Sequence, residues 1–101
     1  MLIREDFMPH LNSKFYLEYT SQTIITSSVQ KAEVELVEVD VLNYPDYNRE
    51  AFVLLFAQPL DKTILPQSTY RITHAVLPAM DIFLVPKAPN NNQNIYEAIF
   101  A

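Results

Sequence analysis

The chain has 101 residues, of which 50% are hydrophobic and only 19% are charged, and its formal net charge is -5. This composition argues against disorder and predicts one domain over residues 1–101, while the lack of clustered basic residues disfavours nucleic-acid binding. Because little charge is available to coat the surface, we expect a protein partner or self-association to cover part of the apolar surface.

The chain contains no cysteine and no glycine. Without cysteine it has no disulfide framework, no thiolate nucleophile and no cysteine metal site. Without glycine it has no Gly-rich phosphate loop, and its turns must rely on proline and on asparagine, which tolerates left-handed backbone conformations. No apolar stretch is long enough for a membrane-spanning helix and no secretory signal is visible, which predicts a cytoplasmic location or a place in an assembled particle.

The N-terminal part combines a short turn with a first strand. Residues 5–13 read as a loop or a single helical turn, in which Phe7 and Leu11 are four apart and able to fix the N-terminus on the core. Residues 14–19 then alternate between apolar and polar side chains, which predicts a half-buried strand.

Residues 32–42 contain a break in their alternation. Up to Leu36 the apolar side chains occupy even positions, whereas from Val37 onward they occupy odd positions. Because a one-residue slip would turn half of a straight strand's apolar side chains into solvent, the pattern predicts a β-bulge or sharp bend at this point. We interpret the acidic residues of the segment as its solvated face. They are Glu33, Glu35, Glu38 and Asp40.

Residues 51–58 are the most apolar run of the chain, and both of their alternating faces are apolar. The two sets are Phe52, Leu54 and Phe56 on one face and Val53, Leu55 and Ala57 on the other. This pattern predicts a strand covered on both sides; a helix is the alternative, but the run is short, uncapped and followed by Pro59. Since such a strand offers no polar lining, we expect any functional site to lie in the loops or at the ends of the sheet.

Three further segments are strand-like. Residues 68–76 alternate, residues 80–85 form an apolar run stopped by Pro86, and residues 95–101 follow an asparagine-rich loop tip. The whole pattern predicts an all-β fold: a single small antiparallel β-barrel or sandwich of about six or seven strands in meander order, with a short N-terminal turn.

His74 is the residue that a catalytic interpretation would choose first, because histidine titrates near neutral pH. It alternates with apolar residues on the inward face of residues 68–76, however, so we favour a structural histidine. His10 forms no spaced pair with it, and the carboxylates match no calcium or zinc motif. We therefore predict a protein that is not an enzyme, without catalytic residues, metal site or cofactor.

Two sets of residues are candidates for binding. Tyr44 and Tyr47 lie in a loop over residues 43–50 and are amphipathic side chains of the kind enriched at protein interfaces, so we expect them to contact a partner. The alternative is a barrel mouth that holds a small apolar ligand near Tyr70, His74 and Tyr96.

Short motifs run through most of the chain. They are Leu36-Val37-Glu38-Val39, Phe52-Val53-Leu54-Leu55-Phe56, Gln67-Ser68-Thr69-Tyr70 leading to His74, Phe83-Leu84-Val85-Pro86 and Tyr96-Glu97-Ala98-Ile99-Phe100. Through them the chain resembles an uncharacterised bacterial family, a domain of unknown function. It departs from the family where Ser68 and Leu77-Pro78 stand at or near positions that carry glycine, so we expect reshaped turns there.

The resemblance implies a fold rather than an activity and carries over no catalytic residue. Relatives in that family are associated with phage-tail-collar or microcystin-dependent-type proteins, which implies an accessory or structural component of a tail-like particle. Our first hypothesis is therefore a non-enzymatic protein that acts through protein contacts, and the second is a small apolar-ligand carrier.

Overall fold

The structure of the protein is a computed structural model that describes residues 3–22, 27–42 and 51–100. A one-turn helix and a 3₁₀ turn come first, and strands make up most of the rest. The elements are α1 (Arg4–Phe7), the 3₁₀ turn (Met8–His10), β1 (Lys14–Gln22), β2 (Ser27–Leu42), β3 (Ala51–Pro59), β4 (Ser68–Thr73), β5 (Met80–Asn90) and β6 (Gln93–Phe100).

The six strands close into a small antiparallel barrel in the order β1-β2-β3-β6-β5-β4. This confirms the predicted all-β class and decides for a barrel over a sandwich. The strand order departs from a single meander at one place, because β3 pairs with β6 instead of with β4. The chain is thus two three-stranded meanders, and residues 60–67 cross one end of the barrel to join them.

β3 is buried on both faces, as its sequence predicts. Every residue from Ala51 to Gln58 is buried except Leu55, which is half-buried. The inward face supplies Phe52, Leu54 and Phe56 to the core cluster. The outward face is therefore apolar as well, although it lies on the outside of the barrel.

The predicted β-bulge is confirmed at Val37. In the β2–β3 ladder Leu36 pairs with Phe56 and Glu38 pairs with Leu55, so Val37 is the extra residue. The bulge absorbs the one-residue slip and lets Leu36 and Val39 both pack on the core.

β5 continues past Pro86, contrary to the prediction that this proline ends the strand. From Val85 onward β5 pairs with β6 but no longer with β4. One side of the strand is therefore free of ladder hydrogen bonds, and a residue without an N–H is tolerated there. A second register shift lies between Lys87 and Asn90 in this segment.

Asparagine takes the place of glycine in the turns, as expected. The β5–β6 hairpin turns at Asn91 and Asn92, whose φ angles are 52° and 59°, and Asn12 has a φ of 67°. Two consecutive positive φ angles match a two-residue type I′ hairpin turn.

The N-terminal turn closes one end of the barrel. Phe7 is fully buried, and its ring centroid lies 5.9 Å from that of Phe52 and 5.7 Å from that of Phe100. Leu11 is exposed, so the expectation that it helps to fix the N-terminus is wrong. Among the described residues, no helix has the length and apolarity needed to cross a membrane.

Candidate functional site

The predicted binding residues fall in three different places. Tyr44 and Tyr47 lie outside the described residues. Tyr70 and Tyr96 lie near the end of the barrel that residues 60–67 cross, which we call the Tyr96 end. His74 follows the last residue of β4, at the opposite end closed by Phe7, and about 13 Å of extended chain separates it from Tyr70. The structure therefore does not gather the three proposed ligand-binding residues into one site.

The buried hydroxyl of Tyr96 fastens the crossing connection to the barrel. It accepts a hydrogen bond from the Leu65 N–H at 2.9 Å and donates one to Gln58 Oε1 at 2.7 Å. The Asn94 amide donates to the carbonyl of Lys62 at 3.0 Å, which fixes the connection at a second point. Tyr70 donates to the Pro66 carbonyl. Burial raises the pKa of both tyrosines, so these hydroxyls stay protonated and act as structural groups.

A groove of about 710 Å³ opens beside this network. Its lining includes Lys31, Glu33, Gln58, Lys62 and Thr63. Such a lining suits a polar ligand better than the apolar one that we expected, and the groove includes neither Tyr70 nor His74.

His74 lies in a chain of hydrogen bonds that the sequence did not predict. Its Nε2 is 2.9 Å from Ser13 Oγ, and the Ser13 hydroxyl donates to the His10 carbonyl at 2.5 Å. Its Nδ1 accepts from the Val76 N–H at 3.0 Å and the Leu77 N–H at 3.3 Å. Because Nδ1 is an acceptor, the neutral ring carries its proton on Nε2, so the Nε2–H donates the hydrogen bond and Ser13 Oγ accepts it.

This arrangement does not suit a serine nucleophile activated by histidine. To act as a general base, His74 would need a free lone pair on Nε2, and the ring proton would then be on Nδ1. That N–H donor would face the backbone N–H groups of Val76 and Leu77, which are also donors. Burial, followed by the charge of neighbouring His10, lowers the pKa of His74. The ring centroids of His10 and His74 are 4.6 Å apart, a contact that the sequence spacing concealed. No group of three metal-ligating side chains forms in the described part of the chain.

The outer face of β3 and its neighbours carries a different kind of surface. The ladders place an acidic residue of β2 beside Val53, Leu55 and Ala57, three outward residues of β3, and β6 and β5 continue the rows. The rows are Asp40–Val53–Ile99, Glu38–Leu55–Glu97–Val85 and Glu35–Ala57–Ile95–Lys87. We call this surface the outer face; it is an apolar strip with an acidic rim along β2.

A concave groove of about 330 Å³ lies within the outer face. Leu55 and Ile95 line it with apolar side chains, and Glu97, on the same strand as Ile95, lines it with a carboxylate. Val37 and Glu38 line it from the β2 bulge. From the second register shift it is lined by Lys87, Ala88, Asn90 and Asn91. The two irregularities thus create a hollow on the otherwise convex surface of a barrel, and we call it the outer groove.

Among the described residues, the cations near the outer face lie at two of its edges: Lys14 is opposite Glu35 in the β1–β2 ladder, and Lys87 ends the row of Ile95. Lys14 pairs with Glu33 at 3.5 Å and Lys87 pairs with Glu97 at 3.8 Å, whereas Glu38 and Asp40 form no ion pair. A hydrogen bond with Asp40, then partial burial and the Asp40 charge, raise the pKa of Glu38. The two carboxylates therefore crowd one another at the edge of the apolar strip.

The outer face differs from the sequence expectation about where a site would lie. We expected the loops or the barrel ends, because β3 has no polar lining of its own. Two features of the sequence indicate the outer face. They are the apolar side chains at the odd positions of residues 51–58 and the break in alternation at Val37. What the sequence did not show is which strand's acidic residues stand next to them.

Comparison with known proteins addresses the family but not the activity. Neither the search of curated proteins nor the search of solved structures gave a match. The model of one family, described as a domain of unknown function (DUF6916), matches residues 2–100. This confirms the resemblance to an uncharacterised domain family, and the chain belongs to that family.

Proposed function

We propose that this chain is a non-enzymatic accessory or structural protein that acts through contacts with other proteins. The observation that carries the proposal is the outer face, at whose edge Ile99 on β6 is 54% exposed. Phe83, farther along the outer side of β5 and paired with β4, is also 51% exposed. Large apolar side chains that remain exposed on a protein surface are typical of protein-binding sites.

A place in a phage-tail-like assembly is the finer part of the proposal. It is supported by the resemblance of the chain to a family whose relatives are associated with tail-collar-type proteins. An assembly component needs binding surfaces and no reaction centre, which agrees with the hydrogen bonding of His74. The products of neighbouring genes are therefore the first partners to test.

The alternative of an apolar-ligand carrier is not favoured by any one observation. Phe15, Leu17 and Phe56 fill the inside of the barrel with fully buried side chains. The groove at the Tyr96 end mixes charged and amide groups with apolar ones such as Tyr19 and Leu65, and it includes neither Tyr70 nor His74. We therefore keep protein contact as the single proposed function.

The test is co-purification of the chain with the products of neighbouring genes, followed by light scattering on the eluted species. Ile99→Asp places a charge on an exposed apolar position at the edge of the outer face, and we expect it to lower the recovered partner at least about tenfold. Val29→Asp is the matched control, because Val29 is 68% exposed on β2 and lies away from the outer face. A strict monomer that recovers no partner would refute the proposal. Recovery that Ile99→Asp leaves unchanged would show that the contact does not use the outer face, and so would remove the observation that carries the proposal.

A further inference from the structure

We propose that the outer groove is an anchor site for a partner protein segment in which a lysine or arginine is flanked by apolar residues. The inference rests on the proposed function and adds the chemistry of the partner. It assigns the apolar residues of that segment to the strip around Leu55 and Ile95, and the cation to the acidic rim at Glu38 and Asp40.

The closed barrel determines how such a segment can bind. Along the outer face β3 pairs with β2 on one side and with β6 on the other, so a partner that lies over β3 is not expected to bind by adding a strand to it. Binding must use side chains, and a hollow between two bulges is a place where a partner side chain can be surrounded. The outer groove is of that kind, since it is lined by Val37 at one bulge and by Ala88 and Asn90 at the other.

The charges of the outer face favour a basic partner. Its three rows contain Glu35, Glu38, Asp40 and Glu97, and the cations beside them are Lys87 and, opposite Glu35, Lys14 of β1. Lys87 already contacts Glu97 and Lys14 contacts Glu33, so neither cation pairs with Glu38 or Asp40. A second copy of the chain would bring a second acidic rim to the interface, which like-charge repulsion opposes. A cation from a different protein would instead relieve the crowding of Glu38 and Asp40.

Lysine and arginine side chains match the layout of the groove. Their aliphatic stems pack on apolar surface while their charged ends reach a carboxylate. Here the apolar surface is Leu55 and Ile95, and Glu38 is the direct ladder neighbour of Leu55. Arginine is also among the residues that contribute most at protein interfaces.

The experiment selects peptides from a random library of about twelve residues displayed on yeast, with the whole chain as bait. We expect the selected peptides to carry lysine or arginine between apolar residues. The consensus peptide is then synthesised, and its affinity is measured by fluorescence anisotropy. Raising the salt from about 50 to about 500 mM NaCl is expected to weaken binding several-fold.

Two double variants of equal charge separate a local contact from long-range attraction. Glu38→Gln with Asp40→Asn should weaken the peptide at least about tenfold. Glu5→Gln with Asp61→Asn removes the same charge from exposed positions away from the outer face, and should change the affinity less than about twofold. Glu38→Lys with Asp40→Lys should bind a peptide in which the basic residue is replaced by glutamate better than the original peptide.

The outcomes distinguish this inference from the proposed function. The basic anchor is overturned if Ile99→Asp abolishes the binding of peptides that carry no basic residue. It is also overturned if the Glu38→Gln, Asp40→Asn variant leaves the binding unchanged. Either outcome leaves protein contact standing. Self-association through the outer face would overturn it too, because the occupant would be a second copy. If no selected peptide depends on the outer face, the inference fails, and the fate of the proposed function rests on the co-purification with neighbouring gene products.

Discussion

The buried polar side chains at the Tyr96 end hold a connection that would otherwise have few ties to the barrel. Residues 60–67 must cross from β3 to β4, and Tyr96, Asn94 and Gln58 supply the hydrogen bonds for that crossing. The Leu65 N–H is buried, so its only route to a partner is the Tyr96 hydroxyl. Tyrosine at this position therefore combines a core ring with a structural acceptor.

Tyr96→Phe tests this role at the scale of one atom. The change removes the hydroxyl and leaves the Leu65 N–H and Gln58 Oε1 each without one hydrogen bond, so we expect the free energy of unfolding to fall by about 1–3 kcal/mol. Urea denaturation measures it. The matched control is Tyr16→Phe on half-buried Tyr16, for which a change within about 0.5 kcal/mol is expected. Equal effects of the two changes would contradict the role of the hydroxyl.

His74 makes the stability of the protein depend on pH. Burial and the His10 charge lower the pKa of His74 in the folded chain, whereas the unfolded chain has the ordinary histidine value of about 6.5. As the pH falls below that value, the unfolded chain binds a proton first, so the free energy of unfolding falls. The groups that face the ring are His10, Ser13 and Phe15, together with the backbone of residues 76 and 77.

The prediction is that His74→Gln flattens the pH dependence of unfolding between about pH 7 and pH 5. His10→Asn is the control, and it should retain most of that dependence because burial is the larger cause of the lowered pKa. Chemical denaturation at several pH values measures both. Parallel curves for the wild-type chain and His74→Gln would show that His74 does not carry the effect.

At the scale of the elements, the bulge in β2 is the feature that most shapes the candidate site. Val37 is the extra residue, and on either side of it the side chains keep a regular alternation: Leu36 faces the core and Glu38 faces outward. The bulge also places Val37 and Glu38 in the lining of the outer groove. Val37 therefore corrects the register of the β2–β3 ladder and also lines the outer groove.

Deletion of Val37 should leave the barrel folded, because Leu36 followed by Glu38 continues the alternation without a slip. Deletion of Val39 is the matched control: it would turn every later side chain of β2 to the wrong face, and we expect it to cost at least about 2 kcal/mol more. Denaturation and amide spectra of the two deletions measure this. If the Val37 deletion unfolds while the Val39 deletion does not, the bulge assignment is wrong.

Local alternation explains why much of the fold could be predicted. Residues 32–42 revealed the Val37 bulge because a slip in a period of two is visible in one strand alone. The path of β5 past Pro86 could not be predicted in this way, since it depends on that strand losing its β4 neighbour at Val85. Contacts between distant residues, such as Ser13 with His74, leave no periodic signal at all.

The candidate site was only partly predictable for the same reason. The sequence contained the apolar outward positions of β3 and the acidic residues of β2 as separate facts. Their adjacency depends on the pairing of Glu38 with Leu55 and Asp40 with Val53 across the ladder. The second bulge, between Lys87 and Asn90, could not be predicted, because this segment of prolines and asparagines has no alternation in which a one-residue slip would be visible.

At the scale of the whole molecule, the β1–β4 seam is the shortest junction of the barrel. The ladder joins only residues 16–18 of β1 to residues 71–73 of β4, whereas β1 and β2 pair along all of Lys14–Gln22. Just beyond the ladder, Ser13 forms a hydrogen bond with His74, and the ring of Phe15 packs on that of His74 at a tilt of 38°, with the ring centroids 4.4 Å apart. These contacts of His74 therefore extend the seam towards the Phe7 end.

Hydrogen exchange should show the barrel opening first at this seam. We expect the amides of β4 to exchange at least about tenfold faster than those of β3, which is buried on both faces and pairs with two long strands. His74→Gln should speed exchange in β4 and leave β3 unchanged, since it removes the contact beyond the ladder. Glu18→Cys with Arg71→Cys joins two directly opposed residues, and once oxidised it should slow exchange in β4 alone. Equal protection of β3 and β4, or a His74→Gln effect spread over every strand, would mean that the barrel opens as one unit and that His74 does not fasten the seam.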